Sequence, residues 1–328
     1  MISHAPRRRR AAIAGSVLIV GALVTVVVIA ARSTTRHAAD STSPFSSSSA
    51  TTTTAATTEA LPTTATATLT PTPKPTPTLA SAASVTSALR RLAAQRPAGG
   101  VSVAALNMKT GARFSFGAAG GMRTGSVAKL FLLEAVLLQH QDAGTQMSED
   151  ELELATPMIE NSDNKAEYSL YLDAGGRDAL GAAFPRLGLK HSTAGYSDPA
   201  LTTTNATDGI TLLRNLVRGG PLNAYSRSLA LALMRNVESD QRWGVSAVAD
   251  RGSSVALKNG WLSVDNDNGP GETDDGMWLV NSVGIVTVHG QQVLLSAFTQ
   301  HGPDYASGVQ LVEQLVRAIT PAVVAESG

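Results

Sequence analysis

Gly125-Ser126-Val127-Ala128-Lys129-Leu130-Phe131 is the stretch on which the fold turns. The run VAKLFLLEAVLLQ that carries it onward is apolar almost all round, and a helix of that kind is buried. Ser126 stands where this helix begins. Lys129, three residues on, shares its helical face at about 5–6 Å between Cβ atoms. An ammonium is costly to bury, so a lysine in so apolar a helix needs a reason. Desolvation lowers a lysine's pKa, which lets it take the proton of a serine hydroxyl. The backbone N–H groups at the helix start face any oxyanion that develops there. Taken alone, S-x-x-K reads as a capping serine and a lysine that snorkels to water. It also occurs twice, since Ser162-Asp163-Asn164-Lys165 fits as well.

Two further stretches change the reading. Ser162-Asp163-Asn164 follows a helix with a well-specified start: Ser148 and Glu151 have the capping-box spacing, and ELELATPMIEN carries the pattern. Lys258-Asn259-Gly260 lies in the strand-like VALKNGWL. The chain has six lysines against twenty arginines, so lysine is not its ordinary surface cation, and two of the six fall in these motif positions.

With this set, the chain resembles the class A β-lactamase and penicillin-binding protein superfamily, whose signature is S-x-x-K, S-D-N and K-T-G. GGVSVAALNMKTGARFSFG is similar to that family's first hairpin, and MIENSDN to its S-D-N helix. VNSVGIVTVHGQQVLLSAFTQ and the helix after it are similar to its closing strands. The resemblance implies an α/β, β-lactamase-like (DD-peptidase-like) fold. Its antiparallel sheet is built from both ends of the domain, with flanking helices and a helical insertion. It also implies roles: Ser126 as acylated nucleophile, Lys129 as base, and Ser162 as relay of a proton to the leaving nitrogen. Asn164 would bind the substrate's amide side chain, and Lys258 would set a positive potential near its carboxylate. Ser126 and Trp261 would supply oxyanion-hole N–H groups beside Gly260. Asp163 reads as a structural residue of its loop.

Two departures bear on function. Asn259 replaces the usual Thr or Ser of the third motif; an amide still donates to a carboxylate, with different geometry. Trp261 stands where it would crowd or stack on a substrate. Class A enzymes activate the deacylating water with a glutamate of an Ω-loop Glu-Pro-x-Leu-Asn run. The matching place here reads Asp198-Pro199-Ala200-Leu201-Thr202, in a loop that looks truncated. Asp198 is either a shorter base or the start of an Asp-Pro turn. A Ser126 acyl-enzyme that hydrolyses slowly follows as the expectation, acting on β-lactams or related cell-wall amides. A D,D-peptidase-like envelope acyl-hydrolase and a non-catalytic peptidoglycan-binding module stand as alternatives. The intact Ser126, Lys129, Ser162, Asn164 and Lys258 argue against the last.

Outside the motifs, the chain divides by composition. Residues 1–10 hold four consecutive arginines, Arg7 to Arg10, and 11–31 are uncharged and apolar. Twenty-one residues make a helix of about 31 Å, enough to cross a hydrocarbon core of ~30 Å. The flanking charge puts the N-terminus in the cytoplasm. A retained single-pass anchor with an extracytoplasmic domain is the expectation, and a cleaved signal peptide with secretion is the alternative. Residues 32–83 are a Ser/Thr/Pro/Ala tract with too little apolar area to order. Residues 84–328 read as the hydrolase domain. The formal charge of zero conceals this division: residues 1–80 hold 7 basic and 2 acidic groups, residues 81–328 hold 19 and 24.

Other chemistries find no support. Without cysteine there is no disulfide, zinc-thiolate site, cysteine nucleophile or acylated-cysteine lipid anchor. No G-x-S-x-G elbow is present. His140, His191, His289 and His301 lack metal-ligand spacing. The acidic loop of Asp265, Asp267, Glu272, Asp274 and Asp275 does not match an EF-hand. No cofactor, no metal and no nucleic-acid partner is expected. The expected partners are a small β-lactam or peptidoglycan-derived substrate and the membrane, with the protein as a monomer.

Overall fold

The computed structural model describes residues 78–264 and 276–325. The basic segment, the apolar run 11–31, most of the 32–83 tract and the acidic loop 265–275 lie outside these residues. Among the described residues no helix is long and apolar enough to cross a membrane.

The first helix, α1 (Ala82–Ala93), begins two residues before the expected domain start, with Ser81 capping it by accepting from Ser84 N at 3.2 Å. Two strands follow, β1 (Val101–Asn107) and β2 (Arg113–Gly117). A short β3 (Met122–Arg123) leads into a single 3-10 turn at Gly125–Val127 and then α2 (Ala128–Ala143). The helical middle holds α3 (Glu149–Glu160), α4 (Asn164–Asp173) and α5 (Gly176–Arg186). It continues through β4 (Thr203–Thr204) to α6 (Ala206–Arg218) and α7 (Ala224–Arg235). The chain then returns to the sheet with β5 (Ala256–Val264), β6 (Met277–Val288) and β7 (Gln291–Gly302), and closes with α8 (Tyr305–Ile319).

The five long strands form one antiparallel sheet in the order β2-β1-β7-β6-β5. The N-terminal hairpin thus pairs with the last strand, as the sequence leads one to expect. Side chains alternate across a strand, so each face of the sheet needs its own cover. Val103, Ala105, Leu295 and Ala297 pack under α1 and α8. Ala104, Leu294 and Phe298 belong to a second cluster with α2 and the helices around it. His289 (φ 47°) and Gly290 (φ 69°) make the expected tight β6–β7 turn, where both central residues of a two-residue hairpin loop take positive φ. Asp250 accepts from both of their N–H groups, at 2.9 and 2.8 Å.

The capping box at α3 is complete: Ser148 Oγ accepts from Glu151 N and the Glu151 carboxylate accepts from Ser148 N. Helix α2 is buried over eleven consecutive residues, Ala128 to Leu138, two of them charged. Glu134 is one; burial pushes its carboxyl well above the usual range, and Asn215 Nδ2 donates to it at 3.4 Å. The other is Lys129.

Candidate active site

Three elements converge on Ser126. The 3-10 turn Gly125–Val127 presents its half-buried side chain at the start of α2. The α3–α4 turn brings Ser162 and Asn164, and β5 brings Lys258. Gly260 permits the approach of β5 to the turn. A Cβ there would lie 2.6 Å from Thr124 O and Val127 N and 2.8 Å from Ser126 N. Gly125, at φ +51°, sits against the same strand, and its Cβ would lie 3.2 Å from Trp261 N. Ser126 N thus lies against Gly260 and Trp261 N against Gly125, on two segments in close contact, where an oxyanion hole would draw its donors.

Lys129 is wholly buried, and its Nζ has three partners at 2.8 Å: Ser126 Oγ, Asn164 Oδ1 and Glu167 Oε2. Three acceptors match the three donors of an ammonium, which is how a buried lysine is made tolerable. Lys258 is buried too, and Nζ donates to Ser162 Oγ at 2.9 Å and to its neighbour's carbonyl, Asn259 O, at 3.0 Å. By accepting from Lys258, Ser162 keeps its own O–H free to donate. Ser162 holds φ +59°, a sparsely populated region for a residue with a side chain and one that tends to occur at functional sites. Asp163 Oδ1 accepts from Lys165 N and Ala166 N, both at 2.8 Å, and so caps α4. Its role in the turn is structural, as the sequence suggests.

Burial lowers the Lys258 pKa from its ordinary value of 10.5 to about 7, with the Lys129 charge adding to the effect and Glu167 opposing it. The side chain is an ammonium below about pH 7 and an amine above. If it attracts a substrate carboxylate, the second-order acylation rate constant falls by up to about tenfold per pH unit above that point. Lys258→Arg keeps the charge and should abolish this limb, as stopped-flow measurements across pH 6–9 would register. Folding depresses this pKa, so the unfolded chain binds more protons between about pH 7 and 10.5. Through that window this group favours the folded state increasingly as pH rises.

Asn259 and the Trp261 side chain are placed differently from the sequence reading, and Asp198 takes up the turn that was one of its two readings. Asn259 is buried with its amide on the far side of β5 from Lys258, and Nδ2 donates to Gln241 O at 2.7 Å and Trp243 O at 3.3 Å. Both amide hydrogens are thereby used, so the expected donation to a substrate carboxylate is not available in this arrangement. Successive side chains on a strand point to opposite faces, which is why Lys258 and Asn259 cannot both face Ser162. For the same reason Trp261 projects away from the cleft and packs against Trp243 and Tyr305, with ring centroids 6.1 and 5.7 Å apart. Only its backbone borders the site. Asp198 is exposed; its Oδ1 accepts from Ala200 N at 2.7 Å, capping the turn Pro199–Leu201. That bond makes the Asp-Pro turn, and the Asp198 charge adds to the effects that raise the Glu167 pKa.

Glu167 is the residue that the sequence reading missed. It lies on α4, 4% exposed, three residues past Asn164, and i, i+3 positions share a helical face. That spacing was the available signal. Burial raises its pKa and the Lys129 charge partly offsets this. Among the described residues no cluster of three or more His, Asp or Glu is arranged to hold a metal ion.

An antiparallel sheet closed by the two ends of the chain, with S-x-x-K and S-D-N facing each other across a helical insertion, is the β-lactamase-like fold. The chain belongs to the Beta-lactamase enzyme family, matching it over residues 138–323. That span includes Ser162, Asn164, Glu167, Asp198 and Lys258 and begins after Ser126 and Lys129. Similar solved structures include PBP-A, 20% identical with a TM-score of 0.61, covering 74% of this chain and 97% of that one. The TLA-3 extended-spectrum β-lactamase is 15% identical with a TM-score of 0.62, covering 73% and 98%. A β-lactamase from Chitinophaga pinensis is 18% identical with a TM-score of 0.60, covering 72% and 97%. Among curated proteins, the chain is 25% identical over 231 residues to one named "Putative lipoprotein LppW" in Mycobacterium tuberculosis and in Mycobacterium bovis. The match covers 67% of this chain and 69% of that protein.

Proposed function

We propose that this protein is a serine hydrolase that forms an acyl-enzyme at Ser126 with β-lactams or related cell-wall amides. The observation that carries the reading is the buried Lys129 Nζ 2.8 Å from Ser126 Oγ and 2.8 Å from the Glu167 carboxylate. Lys129, as the amine, takes the Ser126 proton as Oγ attacks the carbonyl carbon, and the ammonium so formed is held by the Glu167 carboxylate. The oxyanion then lies between Ser126 N and Trp261 N. Ser162, accepting from Lys258, donates its own hydrogen to the departing nitrogen, and Asn164 Nδ2 is left for the substrate's amide carbonyl.

A variant of PBP-A has been solved as its acyl-enzyme complex with penicillin G, which supports a β-lactam as the probe. The apolar run 11–31 and the polar tract after it support a domain tethered at the outer face of the membrane. The likeness to a protein named as a lipoprotein supports the same envelope setting. With no cysteine in the chain, the apolar run 11–31 itself would be the anchor.

Incubation with a penicillin followed by intact-mass spectrometry tests the assignment. The wild-type domain should gain the mass of one intact β-lactam, and Ser126→Ala should gain none. An adduct that survives in Ser126→Ala, or a wild type that neither acquires one nor hydrolyses the penicillin, would rule out Ser126 as nucleophile.

A further inference from the structure

We propose that Glu167, on α4, is the general base that activates the water hydrolysing the Ser126 acyl-enzyme, in a role the Asp198 loop does not fill. This rests on acylation at Ser126 as proposed above, and goes beyond it to the step that regenerates the enzyme.

Geometry separates the two carboxylates. Asp198 is exposed and already accepts from its own turn at Ala200 N. Glu167 is almost wholly buried, and its Oε2 sits 2.8 Å from Lys129 Nζ, the nitrogen that lies 2.8 Å from Ser126 Oγ. Ser126 Oγ and Glu167 Oε2 can thus be no further apart than twice that distance, a gap that one water molecule spans at ordinary hydrogen-bond lengths. Glu167 Oε1 is buried and accepts no hydrogen bond from any described residue. A buried carboxylate oxygen left without a donor is costly, and a water O–H is the donor that satisfies it. Burial also raises the Glu167 pKa, which makes the carboxylate a stronger base than an exposed one.

The proton count closes. As the water oxygen attacks the ester carbonyl carbon, its proton passes to the Glu167 carboxylate. The tetrahedral intermediate collapses with cleavage of the carbon–Oγ bond, and Ser126 Oγ takes a proton from the Lys129 ammonium. The carboxylic acid of Glu167 then returns its proton to Lys129. Water and ester are consumed, and a free acid and the serine hydroxyl are formed.

The test follows a penicillin adduct on the full domain by mass spectrometry after excess drug is removed. Glu167→Gln is expected to acquire the adduct within about tenfold of the wild-type rate and to lose it at least about a hundredfold more slowly. Wild-type clearance should rise with pH as Glu167 ionises, and the variant should lose that limb. Glu167→Asp, which withdraws the carboxylate by one methylene, should clear at an intermediate rate. It serves as the test should Glu167→Gln fail to fold by circular dichroism. Clearance by Glu167→Gln at the wild-type rate would overturn the proposal. So would a failure of that folded variant to acylate, which would reduce Glu167 to a residue that positions Lys129. A wild-type adduct that water never clears, or trapping by Asp198→Asn in place of Glu167→Gln, would overturn it too. Absence of an adduct in both wild type and Glu167→Gln, with no penicillin hydrolysed, would instead refute acylation at Ser126, and the proposal would fall with it.

Discussion

Lys129→Ala is expected to lower the rate of Ser126 acylation by about a hundredfold to ten-thousandfold, the usual contribution of a positioned proton acceptor. The same change should destabilise the domain by ~3–5 kcal/mol, because it strands a buried charge. Glu167 is 4% exposed and, among the described residues, its ion-pair partner is Lys129, so removing the ammonium leaves the carboxylate desolvated and unpaired. Its proton uptake should absorb part of that cost, so the loss should shrink at acid pH. The two effects can be separated. A double variant, Lys129→Met with Glu167→Leu, replaces the pair by apolar groups of similar volume. Such replacements are often neutral or stabilising. Chemical denaturation should therefore show stability restored in the double variant, while mass spectrometry shows acylation still lost. Full acylation in the stable double variant would remove the pair from the mechanism.

Gly260→Ala should be nearly as damaging with a smaller chemical change. The added Cβ would lie 2.6 Å from Thr124 O and Val127 N and 2.8 Å from Ser126 N, distances at which backbone must move. Those contacts are with the turn that carries the nucleophile, so the displacement acts on Ser126 and on its N–H together. Overpacking of this kind costs about 1–3 kcal/mol. Loss of one oxyanion donor costs about a hundredfold to a thousandfold in rate. Acylation should fall by at least the latter factor while the domain still folds, as calorimetry alongside the mass assay would establish. Unchanged acylation in Gly260→Ala would mean that the β5 contact does not shape the oxyanion site.

The sheet was legible because its signals are local and repeated. Alternation marks β1 and β2, the His289-Gly290 pair marks the β6–β7 turn, and Tyr305 to Ile319 reads as a helix at both ends. Ser126 and Lys129 were legible because an S-x-x-K spacing puts both on one helical face, and lysine is otherwise scarce in this chain. Ser162, Asn164 and Lys258 followed from their order along the chain. Their meeting with Ser126 did not, since no local rule brings α4 and β5 to the start of α2.

Asn259 and Trp261 show the limit of motif reading. Both stand next to functional positions in sequence, yet strand alternation sends their side chains to the opposite face of β5. There Asn259 ties down Gln241 and Trp243, and Trp261 joins an aromatic cluster with Tyr305. Asp198 was ambiguous for a different reason: Asp-Pro suits a turn and a catalytic loop alike, and the bond to Ala200 N shows the turn.

By itself, the sequence determined the strands at both ends, the buried α2 and the serine–lysine pair, because each depends on spacing within one element. Which carboxylate faces that pair was decided by tertiary structure alone. A carboxylate's role depends on its burial and its neighbours, and those are set by how α4, α2 and β5 pack. That packing pairs Glu167 with Lys129 and leaves Asp198 at the surface.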